Sequence, residues 1–193
     1  MTTALPEWFH PGPPGGWTAD MLDHLPPEAP RHVELIDGAL TVRPPQTVFH
    51  MRVVGLLEHR IRPPDGLAVA REMTVTLGLR QRPEPDILVV KAAVLHNELT
   101  TFQPEQVHLV AEVVSDETCD RDRVTKPIKY ADAGIRYLWR VEEEDDRPVA
   151  YTYELDPAVR VYVPTGIHHH RLRTYVGFEV DIDLRLPPPR IMT

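Results

Sequence analysis

Two short apolar runs in this chain each carry an acid, and that combination constrains the fold more than anything else in the sequence. Pro85-Asp86-Ile-Leu-Val-Val reads as a strand entered through an aspartate, and His108-Leu-Val-Ala-Glu112-Val-Val as a strand with a glutamate late in it. An ionised carboxylate on a buried strand costs several kcal/mol unless a positive group meets it. The fold must therefore bring a cation to these strands, either a basic side chain or a metal ion. A lysine follows at Lys126, on a segment that reads as helical, before the chain returns to the apolar run Ile135-Arg-Tyr-Leu-Trp-Arg-Val141.

The remaining punctuation orders the chain. Residues 1–17 are rich in proline and glycine and read as a loosely held arm. Residues 18–186 read as one domain, and 187–193 as a tail. Thr18 is a plausible cap for a short helix that Pro26 and Pro27 stop. His32–Val42 carries Asp37-Gly38 between two strand-like runs, a hairpin signal. Phe49, Val53, Leu56, Leu57 and Ile61 recur near the helical period and make 48–61 an amphipathic helix. Strands are expected near 67–70, 73–79, 87–91 and 107–114. A helix over 118–133, interrupted at Pro127 and capped by Gly134, leads to a strand over 135–141. Lys126, just before the proline, should lie at a kink or at the start of a second helix. Four short strands near 149–155, 160–163, 171–176 and 178–180 suggest a closing antiparallel meander. The sum is α/β, bordering on α+β: one mixed sheet flanked by helices, with antiparallel hairpins. Only 107–141 forms a convincing strand–helix–strand unit. No glycine-rich turn follows a strand, so dinucleotide and P-loop readings lack support.

Composition removes other function classes. The 193 residues suit a single core, and the net charge of -8 argues against a broad basic coat for nucleic acid. It leaves room for a local basic cleft, since Arg31 to Arg82 holds eight arginines against five acids. The acidic run Glu142–Asp146 reads as a solvated loop. The 21 prolines, about twice the usual share, fall at the ends and in loops. The lone Cys119 permits no internal disulfide and suits a reducing compartment, and no signal peptide is evident, so the expected location is cytoplasmic. No apolar run approaches the roughly 20 residues of a membrane span.

If the strands of Asp86 and Glu112 are neighbours, their carboxylates come within reach of one hard divalent cation such as Mg²⁺. Alternatively, Asp86 caps the turn at Pro85 and Glu112 pairs with an arginine. Lys126 could orient a water and stabilise phosphate charge, or it could form an i, i+4 surface pair with Asp122. Glu34, inside an apolar run, is either a third acid for the metal or a cross-strand partner of an arginine. His50 opens the amphipathic helix and could approach the same cleft. Glu72 could join the acids. His168, His169 and His170 read as a hairpin tip, because consecutive strand residues face opposite sides. Acidic neighbours make Cys119 a poor nucleophile.

Taken together, Val33-Glu34-Leu-Ile-Asp-Gly38, His50, Pro85-Asp86-Ile, Ala111-Glu112-Val-Val-Ser115 and Asp122-x-x-x-Lys126-x-x-x-Tyr130-x-x-x-Gly134-x-x-Tyr137-x-Trp139 resemble the Uma2 family (the DUF820 group) of restriction-endonuclease-like proteins. The likeness runs from about Trp17 to Leu186 and is most specific from Glu112 to Trp139. It implies the PD-(D/E)XK nuclease fold and a Mg²⁺ or Mn²⁺ site. Asp86 and Glu112 would hold the metal, Glu34 would assist, and Lys126 would be the catalytic lysine. The usual motif places a lysine two residues after the second acid, where this chain has Val114; Lys126 on the following helix takes that place. The implied activity is a metal-dependent endonuclease on DNA, with Arg43, Arg52, Arg60, Arg62 and Arg71 as candidate phosphate contacts. The alternative is a catalytically inactive module of the same fold that binds DNA or another partner. Cutting two strands would favour a homodimer.

Overall fold

The computed structural model describes residues 14–114 and 121–186. Most of the N-terminal arm, the tail, Cys119 and the expected start of the helix at 118–120 lie outside them. The ordered elements are β1 (Val33–Ile36), β2 (Ala39–Val42), α1 (Val48–Arg60), β3 (Leu67–Arg71), β4 (Thr74–Val75), β5 (Ile87–Lys91), β6 (Thr101–Phe102), β7 (Val107–Val113), α2 (Lys126–Asp132), β8 (Tyr137–Glu144), β9 (Arg147–Asp156), β10 (Val161–His168), β11 (Arg171–Tyr175) and β12 (Glu179–Asp183). Six strands form a mixed sheet in the order β10-β9-β8-β7-β5-β3, and β7–β8 is its one parallel pair. A parallel pair needs a crossover, and α2 with the turn before it supplies one.

Each sheet face carries its own core. On one face α1 contributes Val53, Val54, Leu56 and Leu57 against Ile87, Val89, Leu109, Ala111 and Trp139, and β11–β12 adds Leu172 and Ile182. On the other, Tyr130 of α2 and Ile135 meet Leu88, Val90, Val110 and Leu138, with Val75 and Phe102 alongside. The central strands are apolar on both faces, as their unbroken runs of valine and leucine require.

Thr47 caps α1, its hydroxyl accepting from the His50 N–H at 3.1 Å. The Asp37-Gly38 turn forms as the dipeptide predicts, with φ of 52° and 80°. Gly134 ends α2 at φ 79°. Other expectations change. The first helix is a 3₁₀ segment, Ala19–His24, and Thr18 caps no backbone group, its hydroxyl donating instead to Asp20. The strand expected over 73–79 shrinks to Thr74–Val75, and the helix over 118–133 divides into a π-type turn, Arg121–Thr125, and α2. Glu142, placed by sequence in a solvated loop, is buried on β8 and held by Arg123 and by Arg140, whose Nε lies 2.6 Å away. Only Asp145 and Asp146 make the turn.

Truncating Leu57, fully buried between α1 and the sheet, should cost about 2–5 kcal/mol in urea unfolding of Leu57→Ala. Met51→Ala, on the exposed side of the same helix, should change stability by less than about 0.5 kcal/mol.

Candidate functional site

The register of the central strands places Asp86 and Glu112 side by side. β5 and β7 are antiparallel with Ile87 opposite Ala111, so the next pair outward is Asp86 with Glu112. Both are fully buried. Asp86 Oδ2 accepts the Val113 N–H at 2.7 Å, which locks the carboxylate against the end of β7. Its Oδ1 accepts from the Arg43 guanidinium. His50 Nε2, from the first turn of α1, lies 3.0 Å from the same oxygen without an aligned hydrogen bond.

Glu34 reaches the same end of the sheet because β1 docks on the segment before Asp86. Leu35 and Arg82 exchange two backbone hydrogen bonds, and the Glu84 N–H donates to Glu34 Oε1 at 2.9 Å. Lys126 closes the group. Its ammonium lies 2.7 Å from Glu34, 3.2 Å from Glu112 and 3.1 Å from Asp122. Pro127 decides the direction. The π-type turn through Thr125, itself in helical conformation, runs directly into α2 at Lys126, with Pro127 in the first turn of α2. The residue before that proline thus turns inward. Tyr130, one turn further along, donates to the other Glu112 oxygen at 2.6 Å. Lys129, on the outer side, bonds Asp37 at 2.6 Å and ties α2 to the β1–β2 turn.

The four sequence-predicted site residues, Glu34, Asp86, Glu112 and Lys126, therefore stand together, with His50 against them. Glu72 does not join; its side chain faces Arg71. Two members were missed or misplaced. Asp122 pairs with Lys126 at the expected i, i+4 spacing, but the pair is buried, not on the surface. Arg43, expected to face phosphate, is buried against Asp86 and Glu84. It follows directly on β2, whose Thr41 lies opposite Glu34.

Electrostatics at the site are lopsided. Five carboxyl groups, those of Glu34, Glu84, Asp86, Glu112 and Asp122, face three permanent cations, Arg43, Arg121 and Lys126. Burial works to raise Asp86, but His50 and the charge of Arg43 outweigh it and hold the carboxyl below its usual range. Glu112 goes the other way. Burial raises it, Lys126 opposes, and Asp122, Asp86 and Glu34 push it well above the ordinary value. Burial would discharge Lys126, yet Glu112, Glu34 and Asp122 together keep it charged. Strong opposing shifts within one cluster are a signature of functional sites.

The donor set suits a hard divalent cation: carboxylate oxygens, surplus negative charge and a histidine nitrogen without an aligned partner. Among the described residues, no three acidic or histidine side chains form a ready-made cage. A cation at Asp86 would share that carboxylate with Arg43.

The family pattern described as "Uma2: Putative restriction endonuclease" matches residues 19–183. The chain belongs to the Uma2 family. Among solved structures, the crystal structure of a putative nuclease belonging to DUF820 from Anabaena variabilis ATCC 29413 superposes with a TM-score of 0.57 at 18% identity, covering 71% of this chain and 79% of that one. That likeness establishes the shared fold. A search of curated proteins finds no match. No described helix is long and apolar enough to cross a membrane.

Replacing Lys126 tests how far the cluster depends on it. Lys126→Met leaves Glu112 buried without a cation and Glu34 with only Arg121, 3.6 Å away, and should cost about 3–5 kcal/mol at neutral pH. The sign with pH follows from Glu34. Burial works to raise its carboxyl, Lys126 outweighs that, and the net shift is downward. Its stabilising contribution is therefore present above the ordinary carboxylate range and lost as pH falls through the depressed value. The variant's deficit should narrow in urea unfolding at about pH 4.5, where its unpaired acids take up protons.

Proposed function

We propose that this protein is a Mg²⁺- or Mn²⁺-dependent endonuclease that hydrolyses phosphodiester bonds of DNA. The carrying observation is the convergence of Lys126 with Glu34 and Glu112 at the end of the sheet where Glu112 stands beside Asp86. Asp86 and Glu112 would hold the cation, with Glu34 assisting. When bound, such an ion lowers the pKa of its water and neutralises the phosphate. Lys126, kept protonated by three carboxylates, is unsuited to be a base; it donates to the phosphoryl oxygens as charge builds on them. Tyr130 fixes the rotamer of Glu112. The Val113 N–H and Arg43 fix Asp86.

One observation favours a second reading, an inactive module of the same fold. Lys126 is 2% exposed and engaged by three carboxylates, an arrangement that a purely structural ion cluster would also show.

The two readings part on metal and on cleavage. Saturating Mn²⁺, at about 100 times its Kd, should stabilise the wild type by about 2.7 kcal/mol, roughly 5–10 °C in Tm. Asp86→Ala should lose that shift. Wild type with Mn²⁺ should nick plasmid DNA, and folded Lys126→Ala should not. Absence of a Tm shift in folded wild type would remove the metal site. Equal nicking by wild type and Lys126→Ala would remove the lysine from the mechanism.

A further inference from the structure

A second cleft, separate from the acid cluster, lies on the face of the sheet that carries α1. It has a volume of about 480 Å³ and is lined by Arg52, Arg147, Arg185, His169 and His170, with Asp146 at its edge. These side chains come from four places: α1, the β8–β9 turn, the β10–β11 turn and the residues after β12. Basic residues from four segments converge here on a chain of net charge -8. Asp183 binds Arg185 and offsets part of that charge, while Arg147 has no carboxylate partner among the described residues. The floor, Pro148 and Leu184, is buried and apolar.

The sheet relates this cleft to the acid cluster. β7 and β8 are parallel, and Glu112 is paired with Arg140. β8 continues past that level to Glu144, and the turn at Asp145 leads to Arg147. The β8–β9 turn thus projects from the same end of the sheet as Asp86 and Glu112, and Arg147, paired with Glu144, lies four residues beyond the Glu112 level. At about 3.3 Å per residue that is roughly 13 Å along the strands.

We propose that this cleft is a subsite for backbone phosphates of the nucleic acid strand, gripping it to one side of the bond placed at Asp86 and Glu112. The inference rests on the endonuclease reading for the position of that bond. Arg52 and Arg147 supply charge to phosphate oxygens, and the imidazoles of His169 and His170 add N–H donors. Interactions of this kind fix position and read no base, which fits a cleft lined by guanidinium and imidazole groups. The histidine run at the β10–β11 tip, without a role in the acid cluster, acquires one here.

Fluorescence anisotropy in EDTA, with a fluorescein-labelled 20-nucleotide single strand, tests this without any catalysis. The wild type should bind, and Arg52→Gln/Arg147→Gln should bind at least about tenfold more weakly near 0.1 M salt. Its plot of log affinity against log salt should flatten by about 1.4, some 0.7 for each single-strand phosphate that the variant no longer neutralises. The single change Arg147→Glu, on an exposed turn, should weaken binding as much and leave Tm unchanged. Equal 20-mer affinity across the three proteins would overturn the subsite, as would no binding by wild type. Metal-dependent nicking is read in a separate assay, so a nuclease that nicks DNA but shows no cleft effect would sink this inference and leave the endonuclease reading standing.

Discussion

The Lys126 ammonium is the interaction on which the rest of this arrangement depends. It joins three elements that are distant in sequence: β1 through Glu34, β7 through Glu112, and the turn before α2 through Asp122. None of these carboxylates could stay ionised and buried without a cation among them, and a lysine in that position could not stay charged without them. Each therefore requires the others, and their mutual need fixes where the β1–β2 hairpin and α2 settle on the sheet. The outer bond of Lys129 to Asp37 repeats the link at the surface, where solvent screens it.

A second charge pair, Arg43 with Asp86, stands beside the first and is joined to it through the β5–β7 register. The two pairs divide the carboxylates into different electrostatic states. Asp86 is held low by His50 and Arg43 against the pull of burial, and Glu112 is driven high by burial and by neighbouring acids. Such a division is a weak way to stabilise a fold, since well-packed apolar groups of the same volume would often do as well. It is a natural way to keep a cation-hungry site within a folded protein. The position of the lysine follows from the same geometry. Val114, where the usual motif would place it, donates its N–H to Val141 and is buried; α2, crossing over the sheet between the parallel strands β7 and β8, carries the ammonium back to Glu112 instead.

Much of the fold was legible because local chemistry dictates it. Asp37-Gly38 needs positive φ, the apolar stripe from Phe49 to Ile61 makes α1, and Gly134 ends α2. The unbroken apolar runs at Ile87–Lys91 and Val107–Val113 mark central strands. The misreadings at the site share one cause, the use of local polarity as a guide to exposure. Asp122 is a polar residue in an unremarkable setting and Glu142 sits in an acidic run, yet both are buried, and the Arg43 side chain is largely covered by Asp86 and Glu84. Spacing along the chain shows that Asp122 can meet Lys126, but it carries no information on whether water meets them too.

What the sequence determined by itself was the need: acids on strands too apolar to be exposed, a lysine one short helix away, and turn residues that fix where the chain reverses. It also carried the family, through the spacing from Glu112 to Trp139. Tertiary structure alone decided the pairings. The antiparallel register put Asp86 beside Glu112, Pro127 at the head of α2 turned Lys126 inward, and the docking of β1 on Arg82 brought in Glu34. These pairings join residues many positions apart, set by packing and by the cost of burying unpaired charge, and neither is written in any one stretch of the chain.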